Sequence, residues 1–291
     1  MSNTDSLVDF GFDPTFSCYR VTKSVRSFGL YVQSLKPYTK LLAVVLSVAL
    51  IGSTLAFGGV AAVNQTSDGD QQQTAYLKVV HASPDAPPVD VMVKNETVLS
   101  DVPFGAVSDY LALEAGTYNV TIAAAGDSET VVFDGEVTLE PRSVTTLAAS
   151  GEISEGAETT FELVAYEDTA PAPADNESAL RVIHLSPDAP TVDITTSGGS
   201  VVLADNVSFQ NASDYVTVPE GNHTLELREA TGDNDGPVVT TVNVSLSGGT
   251  AYSAMAVGYL DTDDEPADTE FEVILAEDAT NTTTGVQLPF N

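Results

Sequence analysis

The chain has 291 residues, 42 acidic against 10 basic, and a formal net charge of −32. Such an excess of acid repels nucleic acid and anionic lipid, so neither is a partner expected of the part of the chain that carries it. With 43% hydrophobic residues the chain is too apolar for an acidic disordered polymer, and its one cysteine, Cys18, rules out an internal disulfide.

The bases are unevenly placed. Arg20, Lys23, Arg26, Lys36 and Lys40 precede residue 41, and only Lys78, Lys94, Arg142, Arg181 and Arg228 follow it. Three acids fall in residues 1–40, which leaves 39 for residues 64–291. Self-repulsion of this size destabilises a compact state in dilute buffer. At molar salt the screening length falls to about 3 Å and most of the cost disappears. The composition therefore points to a protein adapted to high salt.

Residues 41–63 are a run of 23 without a charge. A membrane-spanning helix needs about 20 apolar residues, and a signal-peptide core about 7–15, so the length favours an anchor. With the bases on its N-terminal side, the positive-inside rule predicts residues 1–40 as a cytoplasmic tail and the rest outside. The alternative is a signal sequence, cleaved to leave a secreted protein. Residues 64–75 are a polar spacer.

From Tyr76 onward, short alternating runs broken by Gly, Pro, Asp and Asn predict strands and turns. Leu77, Val79 and His81 share a face, as do Leu180, Val182 and His184. The strands of residues 76–166 have counterparts in 179–277, with an acidic Pro/Ala-rich linker at 167–178 and a flexible tail at 278–291. The expected fold is all-β: two tandem immunoglobulin-like or transthyretin-like β-sandwiches after one N-terminal transmembrane helix.

The duplication shows most clearly in HASPDAPPVD (residues 81–90) and HLSPDAPTVD (residues 184–193), identical at eight of ten positions. His81, Ser83, Pro84 and Asp85, with His184, Ser186, Pro187 and Asp188, read as a structural motif: proline and Ser/Asp chemistry build a rigid turn. The histidine, on an apolar face, needs a hydrogen-bond partner, which Asp85 or Asp90 is expected to supply. A second reading is a Ca²⁺ site on Asp85 and Asp90, repeated at Asp188 and Asp193, since hard cations take oxygen ligands. No other cofactor is implied. His, Ser and Asp adjacent in sequence make no triad, which requires convergence in space, and no G-x-S-x-G elbow is present. His223 has no repeat partner and reads as a hairpin residue.

A second shared segment, FGAVSDY (residues 104–110), returns as FQNASDY (residues 209–215). Each Phe is expected as a core plug. These motifs and the E-A-G-T-Y hairpin resemble the domain-of-unknown-function family 4397, over about residues 76–166 and 179–276. The resemblance implies a β-sandwich and a cell-envelope location, and no catalytic residue. The second copy departs from the first with Gln210-Asn211 where Gly105-Ala106 stands.

Of eleven asparagines in residues 64–291, nine stand in N-x-S/T sequons: Asn64, Asn95, Asn119, Asn176, Asn206, Asn211, Asn222, Asn243 and Asn281. Chance would give about two. The excess predicts an exported, N-glycosylated surface. The function expected is that of a non-enzymatic, membrane-anchored extracellular protein for envelope interaction or adhesion, its partner a cell-envelope protein or glycan. The alternative is a secreted or anchored hydrolase or solute-binding protein.

Overall fold

The computed structural model describes residues 74–263 and 265–280. The predicted membrane segment 41–63, its flanks, Asn64, Asn281 and the end of the predicted tail lie outside the described residues.

Within them the chain is all-β, sixteen strands in four four-stranded sheets. In the first repeat, β1 (Thr74–Ala82), β4 (Leu111–Glu114), β7 (Val144–Ser150) and β8 (Glu162–Glu167) form one sheet in the order β4-β1-β7-β8. The strands β2 (Val89–Val93), β3 (Glu96–Val102), β5 (Gly116–Ala124) and β6 (Asp127–Leu139) form the other, in the order β3-β2-β5-β6. The central pair β1–β7 is parallel and every other pair antiparallel.

The second repeat uses the same plan. Strands β9 (Glu177–His184), β12 (Val216–Pro219), β15 (Thr250–Val257) and β16 (Glu272–Thr280) are ordered β12-β9-β15-β16, again with its central pair parallel. Strands β10 (Val192–Thr196), β11 (Val202–Val207), β13 (Gly221–Glu229) and β14 (Val238–Leu246) are ordered β11-β10-β13-β14.

Each sandwich buries apolar residues between its own sheets: Val89, Val91, Val120 and Ile122 in the first, Leu180, Val182, Ile194, Leu225 and Tyr252 in the second. A third core joins the two. Val80, Ala82, Ala148 and Tyr166 of the first repeat pack with Ile183, Leu185, Met255, Val257 and Ala276 of the second. The sheets carrying β1 and β9 are thus covered on both faces, and all eight residues of β15 are buried. A strand buried on both sides cannot alternate apolar with polar, and AYSAMAV does not.

This shared core changes the picture of the predicted linker. Asp168 and Pro173 are buried, and Glu177 and Ser178 already belong to β9. Asp278, placed by the sequence in a flexible tail, is buried within β16. Both aspartates are held where they are by cations of the opposite repeat.

Candidate functional site

The repeated motif forms the loop that carries the chain from β1 to β2, and from β9 to β10. His81 and His184 close the strands with imidazoles that are almost fully buried. Their partners are backbone atoms, not the predicted aspartates. The Nε2 of His81 lies 3.2 Å from the Pro87 carbonyl oxygen, and that of His184 3.0 Å from the Pro190 carbonyl oxygen. The proline carbonyl at the end of the loop reaches the ring six residues upstream, whereas the carboxylates of Asp85 and Asp90 are taken up by backbone N–H groups of other loops. Each ring also meets the predicted phenylalanine edge-on, Phe104 or Phe209, at 6.2 Å between centroids. Burial holds both imidazoles below the ordinary histidine pKa, against the smaller opposing effect of the carbonyl contacts.

The motif serines and aspartates tie this loop to the next. Ser83 Oγ donates to the Gly151 carbonyl at 2.6 Å, and Ser186 Oγ to the Gly258 carbonyl at 2.6 Å. Asp85 accepts the backbone N–H groups of Ile153 and Ser154, and Asp188 that of Asp261. Asp90 accepts from Asp101 and Gly126, Asp193 from Asn206 and Thr231. The four carboxylates read as Ca²⁺ ligands therefore face N–H donors, whose positive ends repel a cation. Among the described residues no group of three or more His, Cys, Asp or Glu side chains is gathered as a metal would require. His223 lies in a hairpin, its Nε2 2.8 Å from the Pro219 carbonyl.

Between the repeats lies a polar cluster that the sequence did not single out. Lys78 Nζ is 2.8 Å from Asp278 Oδ1, and Arg181 pairs with Asp168, all four side chains buried. Each cation thus meets an anion of the other repeat. The remaining lone pairs are met from within each aspartate's own repeat. Tyr110 and Thr146 donate to Asp168; Tyr215 and Ser253 donate to Asp278. Lys78 sits 4.3 Å from the centre of the Tyr110 ring and Arg181 4.9 Å from that of Tyr215. Burial, with the carboxylates of Asp168 and Asp278 nearby, pushes the Tyr110 hydroxyl far up, and burial does the same to Tyr215. The tyrosines stay protonated and act as donors. The only hint in the sequence was that Lys78 and Arg181 occupy the same place in the two repeats, with Tyr110 and Tyr215 matched likewise.

The described sequon asparagines, Asn95, Asn119, Asn176, Asn206, Asn211, Asn222 and Asn243, are all exposed. Two of these sequons face each other across β13 and β14, where Asn222 pairs with Ser245 and Thr224 with Asn243. The Asn211 amide folds back on its own loop, donating to Ser208 Oγ at 2.8 Å and to the Phe209 carbonyl at 3.1 Å.

Among solved structures, the chain is similar to a leucine-rich repeat protein from Bacteroides thetaiotaomicron (15% identity, 65% of this chain and 26% of that one, TM-score 0.18). It is similar also to the Bacillus anthracis TIE protein (11% identity, 64% and 34%, TM-score 0.21). A third is a family 26 carbohydrate-binding module from Eubacterium rectale Amy13K, in complex with maltoheptaose (11% identity, 72% and 98%, TM-score 0.22). The chain spans about a quarter and a third of the first two. Overlaps this low carry no argument about function. No curated protein matches. The sequence family described as Domain of unknown function (DUF4397) matches residues 75–195 and 196–288, the border falling inside β10. Two matched segments covering most of the length, over a body that repeats strand for strand, settle the family: the chain belongs to DUF4397.

Proposed function

We propose that the protein is a non-enzymatic, salt-adapted module of the cell surface. It is anchored through residues 41–63, with the two sandwiches outside, and engages an envelope protein or glycan in interaction or adhesion. One observation carries the reading: in both repeats the polar side chains of the signature motif are committed to loop backbone. His81, Ser83 and Asp85 hold the Pro87 carbonyl, the Gly151 carbonyl and the Ile153–Ser154 amides. Groups so engaged shape a loop rather than activate a nucleophile. The exposed sequons support an exported, N-glycosylated surface, and the acid excess supports the salt adaptation. The strand orders with a parallel central pair support the transthyretin-like alternative over the immunoglobulin-like one, whose sheets are antiparallel.

The test is chemical cross-linking on intact cells in growth salt, with capture through a C-terminal tag. Discrete larger species built on the full uncleaved mass are expected. A lone, shortened protein in the medium would overturn the anchor and favour a secreted binder. The non-enzymatic reading falls if a turnover is measured and is lost, with the fold intact, on replacing His81, Asp85, His184 and Asp188.

A further inference from the structure

The two seams of the duplicated body have diverged. On the side of the first repeat, Gly105 lies beneath β16: a Cβ there would sit 2.8 Å from Glu272 Oε1 and 3.7 Å from the end of Ile274. There the loop and the strand approach closely. At the matching position of the second repeat stands Gln210, held at φ 61°, and the seam opens into a cleft of about 480 Å³. Tyr166, Glu167, Arg181, Gln210, Asp214 and Tyr215 line it. Their counterparts show where the copies differ, with Gln210 for Gly105, Arg181 for Lys78 and Tyr166 for Ala276, whereas the signature loop keeps eight of ten residues. Glu167, Asp214 and Tyr215 are shared with the other seam, so what sets this cleft apart is Gln210, Arg181 and Tyr166.

The polar groups of the cleft define what fits it. Gln210 Nε2 is buried with no acceptor, and an unanswered buried donor is a standing penalty. Arg181 has three of its five N–H groups committed, to Ser253, Glu167 and Asp168, so it too can donate further. Glu167 and Asp214, both exposed, are acceptors. An anion would answer the donors but meet two carboxylates on a strongly acidic protein; a cation would answer the carboxylates and leave the Gln210 amide unpaired. A hydroxyl donates and accepts at once. The Tyr166 and Tyr215 rings are fixed in place through bonds from their hydroxyls to the Gln210 carbonyl and Asp278. They give the cleft rigid walls, and its volume is within the range of about 300–1,000 Å³ usual for small-ligand sites.

We propose that this cleft binds a neutral saccharide, a unit of one or two sugar residues, presented by a glycan of the cell envelope. The proposal rests on the surface-module reading and names the chemistry of its partner. The first experiment is saturation-transfer NMR on the purified protein in molar KCl. The probes are glucose, galactose, mannose and N-acetylglucosamine, each as the monosaccharide and as a disaccharide. At least one probe is expected to receive saturation. Gln210→Gly suits the positive φ and copies the first repeat, so the fold is retained; it should weaken binding about fivefold or more, the size of one lost hydrogen bond or two. Glu167→Gln, which keeps the side-chain shape, should weaken it as well. Silence from every probe, or equal signals from wild type and both variants, would overturn the proposal. A second arm asks for the source of the sugar: sedimentation with isolated envelopes should be competed by the responding probe and lost in Gln210→Gly. Competition failing while free sugar binds would mean a soluble sugar and overturn the envelope glycan. Should the sugars fail while whole-cell cross-links to an envelope protein persist, the saccharide is wrong and the surface module stands.

Discussion

His81 and His184 are held neutral by their surroundings, which makes the fold sensitive to acid at two named rings. A proton added to His81 would arrive at Nδ1, 3.4 Å from the Ser83 N–H, setting donor against donor; at His184 the same atom is buried with no partner. Their folded pKa values lie below the ordinary histidine value, so the unfolded chain takes up protons first as the pH falls. The stability they contribute is therefore present above about pH 6.5 and is lost as the pH falls from there through the folded values. Thermal unfolding in molar KCl should show it, and the effect is read as a difference because Asp168 works the other way. Burial, only partly offset by Arg181, raises the Asp168 pKa, so its contribution grows on acidification. Replacing both histidines by Gln, whose Nε2 reaches for the same proline carbonyls, should flatten the loss of midpoint between about pH 7.5 and pH 5. An unchanged slope would clear the histidines of the role.

At the scale of strands and loops, the two repeats close in the same way, with a glycine directly after the central strand whose carbonyl receives the motif serine. Gly151 follows β7 and Gly258 follows β15, at φ 85° and 79°. A Cβ at Gly258 would lie 2.3 Å from the Glu270 carbonyl oxygen, and at Gly151 2.0 Å from that of Thr160. Gly126 has nearly the same φ, 75°, and open space around it. Backbone strain alone is expected to cost Gly126→Ala about 1 kcal/mol, and the added clash should take Gly258→Ala to roughly 2–4 kcal/mol. Denaturant titration in molar KCl measures both, and equal losses would deny the close approach its role. Much of this level was legible in the sequence: alternation located the strands of each repeat, and the serine and proline pattern located the loop. The glycines were not, because their role depends on a carbonyl just ahead of the following strand, of Thr160 or Glu270, well away in sequence. Nor was the partner of each histidine, since a backbone carbonyl leaves no side-chain signature. The third core was legible in principle, because runs such as ALRVIH and AYSAMAV do not alternate, and only a second covered face explains that.

For the whole molecule, the unit of stability is the pair of sandwiches. The shared core of Val80, Ile183, Met255 and Val257 and the exchanged ion pairs mean that neither repeat can open without exposing the other. At molar salt, where the acidic surface is screened, the described region should unfold in one calorimetric transition with the van't Hoff and calorimetric enthalpies equal. Two independent modules on a linker would instead give a calorimetric enthalpy near the sum of two. The same measurement on Arg181→Glu sharpens the case. That change sets a carboxylate against Asp168 and strips it of its partner in a buried site, a loss of about 3–5 kcal/mol. Because the lost pair bridges the repeats, the damage should fall on their coupling and split the transition. Diluting the KCl to millimolar levels should act on the same body through its surface, removing the β circular-dichroism signal as self-repulsion is unscreened. Separate transitions in the wild type would show that the common core does not couple the repeats, whereas a variant that unfolds in one lower step would show that the Arg181–Asp168 pair is not needed for the coupling.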